Sequence, residues 1–230
     1  MPELPPPLPP ETRPVGQVIA ETIRAYGEKF WPALALGLPL AIADQARIRS
    51  HQDPRGQFHA ILVQAIVLWL CTPLFALAFV RACSLLYGKR PTRTAFLLAV
   101  LIWLPFPFLN IVYILPGLAW LAFIGMAVPA AMVEDLGFRD ALPRGRELGR
   151  ADFVHALGSL AALVVVIGIA DVTLTELLHS QSNTGQRAAV FVADLVLSPL
   201  LFLGGALLYR DQAARVGSRR ARLESNPKER

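Results

Sequence analysis

Two carboxylates stand inside the last two apolar runs of the chain, Asp171 in IGIADVTL and Asp194 in VADLVLSPLL. A carboxylate in hydrocarbon is costly, so it turns to a partner, to water or to a proton. Measured from Val154, the first apolar residue of its run, Asp171 lies about 26 Å along a helix; measured from Ala188, Asp194 lies about 9 Å in from the other edge. The two therefore reach broadly similar depth. Ala161, Val164, Gly168, Asp171 and Thr175 share one helical stripe, and Asp194, Ser198 and Gly205 share another. Small residues let helices approach, and polar ones favour a bundle interior over lipid. This pattern suits a shared proton or cation site built from Asp171, Asp194 and Ser198. Arg47, Arg49 or Arg187 could supply counter-charge, or one carboxylate could stay protonated beside its neighbour. The alternative is that both carboxylates simply reach the outer interface.

A second group of charges lies in EDLGFRDALPRGRELGRADF, 134–153. Its Glu134-Asp135…Arg139 resembles the acidic and arginine signature of CAAX-type intramembrane proteases. Those enzymes also need F-x-x-x-H, and Phe153 and His155 have the wrong spacing. The simpler reading pairs Glu134 locally with Arg139. Arg139, Arg144, Arg146 and Arg150 are candidate contacts for anionic headgroups, since each basic residue near an anionic leaflet contributes up to about 1 kcal/mol. No G-x-S-x-G, H-E-x-x-H, Walker loop or paired C-x-x-C occurs, and the histidines 51, 59, 155 and 179 are scattered. Neither a cofactor nor a metal is expected. Nucleic acid is a poor partner, because no aromatic-interleaved basic fold accompanies the charges.

The elements that must position these groups are apolar helices. Apolar residues make up 54% of the 230 and charged residues 17%, with a mean hydropathy of +0.48. The organising stretch is 94–134, uncharged until Glu134. Helical, it covers roughly 60 Å, twice a hydrocarbon core of about 30 Å. Pro105 and Pro107 interrupt it, and proline breaks a helix by removing a donor and clashing with the preceding turn. The sequence thus predicts a hairpin turning at about 105–110. Around it, 31–46 reads as a short first span kinked at Pro39 and 47–57 as a polar loop. A long span follows at about 58–83, then one at about 154–178 and a sixth at about 188–209. The expected fold is all-α, a polytopic transmembrane bundle of about six spans over 15–209. A disordered Pro-rich tail precedes it at 1–14, with seven prolines, and a basic cytoplasmic tail follows at 210–230. Leu136, Phe138, Leu142 and Leu148 alternate with charge, which predicts a surface helix in 134–153. Leu142 and Leu148 should turn to the bundle, and Arg146 and Arg150 to headgroups or solvent. Cys71 and Cys83, about 18 Å apart along one helix, read as apolar filler.

With six spans, one face holds 18 of the Lys and Arg residues and the other holds four, Arg47, Arg49, Arg55 and Arg187. Such a bias places both termini in the cytoplasm. Nineteen Arg against three Lys, with abundant Ala, suggests a GC-rich bacterial genome and hence a bacterial plasma membrane.

The order of these features resembles the membrane domain of bacterial glycerophosphoryl diester phosphodiesterases and its stand-alone relatives. The likeness extends over most of 16–170. It rests on Gly88 and Pro91 before the hairpin, on Trp120, Pro129 and Glu134, and on Ala141, Leu142, Arg144 and Leu148. Pro143 and Gly145 depart from the pattern, where that family more often has a polar residue and Ser. The resemblance implies the fold and the membrane address. It argues against carrying over the enzyme activity, which in that family belongs to a separate soluble barrel domain. The expected function is a non-catalytic module contacting the lipid bilayer, anionic headgroups or another membrane protein. A transporter or channel with a polar site in the last two spans is the alternative, and an intramembrane hydrolase the third. A lipid or partner module predicts dry contacts between small residues; a transporter predicts a water-filled cavity reaching the carboxylates.

Overall fold

The computed structural model describes residues 9–51, 57–109, 114–177 and 183–225. All regular structure in them is helical, with no strand. Three helices are long and apolar enough to cross a membrane: Ile114–Val133, Phe153–Leu174 and Arg187–Arg222. A fourth arises if the bent pair Ile61–Leu70 and Thr72–Tyr87 counts as one.

The chain enters through a 3₁₀ turn, Pro10–Thr12, and helix α1, Val15–Glu28. Residues 9–14 of the stretch read as a Pro-rich tail carry this turn; residues 1–8 lie outside the described residues. Helix α1 buries Val18, Thr22 and Tyr26 and leaves Ile23 exposed. Next come α2, Phe30–Leu34, a 3₁₀ turn at Ala35–Gly37, and α3, Leu38–His51. The first apolar run is thus broken just before Pro39, and its helix continues through 47–51, where a loop was expected. Trp31 and Phe30 stay exposed, as interfacial aromatics do.

Helices α4, Gln57–Leu70, and α5, Thr72–Tyr87, replace the expected unbroken second span. They meet at 49° across Cys71. Pro73 is the cause: it sits in the first turn of α5, where a missing N–H costs nothing, but it cannot donate back into α4. Gly88 ends α5 in the left-handed region, φ 65°, which glycine enters without a Cβ clash. Thr92 then caps α6, Arg93–Trp103, by accepting from the Ala95 N–H at 3.1 Å. Beyond Pro105 a single helical turn, α7, Phe106–Leu109, precedes α8, Ile114–Ile124, and α9, Ala127–Val133. Helix α6 ends just before Pro105, whereas Pro107 lies within α7; the end of the expected turn, at 110, lies outside the described residues. Trp120 Nε1 donates to the Ile102 carbonyl at 2.9 Å, tying α8 to α6. Trp103 lies at the centre of the core, stacked on Phe75 at 5.3 Å and edge-on to Phe106 at 4.8 Å.

The remaining helices are α10, Phe138–Ala151; α11, Phe153–Leu177; α12, Asn183–Leu197; and α13, Pro199–Ser225. Two expectations change here. The sixth run breaks at Ser198, because Pro199 cannot donate to the Leu195 carbonyl. Gly37 packs onto that carbonyl so closely that any Cβ would collide with it. And the tail beginning at 210 is no tail: α13 continues to Ser225, with Asp211, Gln212 and Val216 buried.

Candidate anion-binding groove at the basic end

The turn into α10 is built by Asp135, whose φ of 55° lets the Leu136 N–H close on the Ala131 carbonyl at 3.2 Å. This is a Schellman-type helix ending, and Asp is among the few non-glycine residues that tolerate it. Helix α10 then lies against α8 and α9 through Ala141, Gly145, Leu148 and Gly149, all buried. A Cβ on Gly145 would come within 2.6 Å of the Ala127 Cβ, and one on Gly149 would collide with the Phe123 carbonyl. Glycine at 145 and at 149 is therefore what this close packing requires.

With that face buried, α10 turns Arg139, Arg146 and Arg150 outward. Leu148 is fully buried and Leu142 half-buried. Between α10 and the end of α13 opens a groove of about 550 Å³. Arg146 and Arg150 form one wall, and Arg219 and Arg220 the other. Pro143, Ala151 and Val216 supply its apolar surface, and Glu147 is the one carboxylate lining it. Arg220 donates to Glu147 at 2.6 Å, and Arg219 to the Ala151 carbonyl at 3.2 Å. The Arg150 guanidinium lies 5.5 Å from the centre of the Phe123 ring, a cation–π distance.

Arg144 is placed otherwise. Its Nε donates to both Glu134 oxygens, at 2.9 and 3.0 Å, and the guanidinium reaches Glu147 at 2.7 Å. Glu134 also accepts from the Tyr209 hydroxyl at 2.9 Å. The local pair expected for Glu134 is thus with Arg144, one helical face further on, and not with Arg139. Burial alone would raise the Glu147 carboxyl. Hydrogen bonds and charge from Arg144 and Arg220 outweigh it and hold the group below the ordinary value.

Beside the groove a buried polar clasp joins both ends of the chain. Arg13, 8% exposed, bridges Glu21 at 2.8 Å and Asp211 at 3.1 Å. Arg215 pairs with Asp152 and donates to the Arg13 carbonyl. Gln212 grips the Asp152 backbone from both sides, accepting from its N–H and donating to its carbonyl, each at 3.0 Å. Asp152 caps α11 through the His155 N–H at 3.0 Å, and His155 Nε2 stands 3.9 Å from Asp211. None of these partners of Arg13 was foreseen. One signal was present: Arg215, Arg219 and Arg222 repeat at four and three residues, the helical period.

Asp194 and Ser198 both lie in the interior, essentially inaccessible, and the bond between them goes to a main-chain carbonyl within a single helical turn and does not use the carboxylate. The Ser198 hydroxyl donates to the Asp194 carbonyl at 2.6 Å and lies 3.4 Å from that of Gly37. Arg187 is bound by Gln45, which accepts from its guanidinium at 3.3 Å and donates to its carbonyl at 2.9 Å. Asp171 lies on α11, but its side chain, like those of Arg47 and Arg49, is outside the described residues, so the pairing of Asp171 with Asp194 is outside them too. Among the described residues no three His, Cys, Asp or Glu side chains converge as a metal site. No protein-family model, curated protein or solved structure matches this chain.

Proposed function

We propose that this chain is a non-catalytic, polytopic module of a bacterial plasma membrane that contacts anionic lipid through its cytoplasmic face. One observation carries the reading: the arginine groove and the clasp between Arg13 and Arg215 lie at the same end of the helices. Chain ends joined on one side require an even number of crossings between them. We take that number to be six: the three long apolar helices and the bent pair 61–87 have the length and apolarity to cross, and 30–51 and the shorter arm 93–109 are assigned as the remaining two. The clasped end then collects the Lys and Arg excess, the signature of a cytoplasmic face. Helix contacts through Gly37, Gly145 and Gly149 are dry and close, as a lipid- or partner-contacting module requires. The void around Trp103, Gly125 and Gly205 is apolar and only about 20 Å³. Membership of the glycerophosphoryl diester phosphodiesterase membrane family is part of the proposal. Trp120, Glu134 and Arg144, three of the residues behind the resemblance, make the ties that hold α6 to α8 and α9 to α10.

Reporter fusions test the topology. Fusions at residue 230 and at residue 183 should report opposite compartments, cytoplasm for the first. The same compartment for both would sink the six-span arrangement.

A further inference from the structure

The groove has a more specific shape than a basic surface needs. Its cations come in two pairs on opposite walls. Arg146 and Arg150 are one turn apart on α10, where residues four apart are neighbours; Arg219 and Arg220 are adjacent on α13. Against these four stands Glu147 alone. Glu147 is shared between Arg144 and Arg220, so it offsets one of the four cations and leaves the groove with a net positive lining. Among the described residues neither Arg146 nor Arg150 is held by a carboxylate, and both are exposed. A guanidinium fork matches phosphate oxygens in two-point geometry. A single phosphate satisfies one wall and leaves the other uncompensated across about 550 Å³. The apolar lining by Pro143, Ala151 and Val216 suits glycerol or acyl carbons between two charges. Three residues past Ala151, Val154 is 79% exposed at the head of α11, where the apolar outer side of that helix begins. Basic pockets between helices on a cytoplasmic face are where two-phosphate headgroups bind.

We infer, resting on the lipid-contacting reading above, that this groove seats a lipid headgroup carrying two phosphates. One phosphate lies against Arg146 and Arg150 and the other against Arg219 and Arg220. The chemistry recognised is a pair of linked phosphates, and its source is lipid and not a soluble diphosphate.

The test uses the full chain, delipidated in mild detergent and then placed in phosphatidylcholine nanodiscs. Cardiolipin is compared with phosphatidylglycerol at twice the molar amount, so that negative charge is matched. Bound lipid is counted by native mass spectrometry. Cardiolipin should be retained at one per chain, with at least tenfold preference. Arg146→Gln/Arg150→Gln and Arg219→Gln/Arg220→Gln should each reduce retention at least tenfold, while Arg24→Gln, exposed on α1 and outside the groove, should not. Circular dichroism and elution volume confirm that the variants remain folded. Equal retention of the two lipids, both above phosphatidylcholine, would overturn the two-phosphate seat and leave the lipid-contacting reading standing. No retention of either lipid would overturn both. Inorganic pyrophosphate is titrated in parallel. Tight binding of pyrophosphate, lost in the same variants and without cardiolipin preference, would assign the seat to a soluble diphosphate and overturn the lipid source.

Discussion

At the scale of single residues, Arg144 holds the corner between α9 and α10. It satisfies Glu134 and Glu147 at the same time, and only a fifth of its side chain meets solvent. Arg144→Ala should therefore lower stability by about 1–3 kcal/mol, the cost of leaving a half-buried carboxylate short of its donor. Arg144→Lys should recover only part, because one ammonium replaces a planar guanidinium that reaches Glu134 and Glu147 through separate nitrogens. Arg139→Ala should stay within about 0.5 kcal/mol, as exposed substitutions do. Thermal unfolding in detergent separates the three; a larger effect at Arg139 than at Arg144 would refute the assigned pair. The sequence made Glu134 and Arg144 visible as motif residues but not as partners. A local pair five residues away looks nearer than one ten residues away until Asp135 reverses the backbone between them. Asp194 and Ser198 were legible as interior groups because their spacing is helical and their neighbours apolar. The groove's second wall was not, because a dense run of arginines at a chain end looks like solvated tail in any reading by composition.

At the scale of elements, the apolar runs fixed where helices occur, and the prolines decided where they break. Pro105 was read as a break, whereas Pro73 and Pro199 were read through. The physical difference is small: each removes one donor, and each sits at the first turn of the helix that follows it. What flanks Pro105 is a second proline and Asn110, a turn signal in its own right. Pro73 and Pro199 are flanked by continuous apolar sequence, so periodicity alone carries the eye across them. The seating of α10 is likewise visible only in three dimensions, since nothing local reveals that Gly149 faces the Phe123 carbonyl. Gly149→Val should cost about 1–3 kcal/mol, the usual penalty for overpacking, and should loosen α10. Gly217→Ala on α13, where an added Cβ meets nothing, should instead stabilise by about 0.4–1 kcal/mol. Hydrogen exchange on α10 and α13, with melting temperature, checks both signs; protection of α10 unchanged in Gly149→Val would contradict the packing.

At the scale of the whole molecule, one end of the bundle is held by charge as much as by apolar packing. Its response to acid follows from Glu147. The group's value in the folded protein lies below its ordinary 4.5. Its contribution is therefore present above about 4.5 and is lost as pH falls through the lowered value. Acidification through the lowered Glu147 value, below 4.5, should free the end of α13 from α10. A spin-label pair at residues 139 and 224 should show one distance at neutral pH and a broad spread in acid. Glu147→Gln should show the spread already at neutral pH, without further change; a neutral-pH distance as narrow as wild type would refute the role. The clasp beside it has a different consequence, one of time. Arg13 and its partner Asp211 are 198 residues apart. At 5–20 residues per second, a ribosome takes roughly 10–40 s to travel between them. Throughout that interval Arg13 lacks the second of its two carboxylates, while the helices between the two positions are being made. Until Asp211 is made, Arg13 has Glu21 as its one carboxylate partner of the pair it ends with. The clasp is therefore a late event, and a chain released before residue 211 would carry its first described turn against no seat on α13.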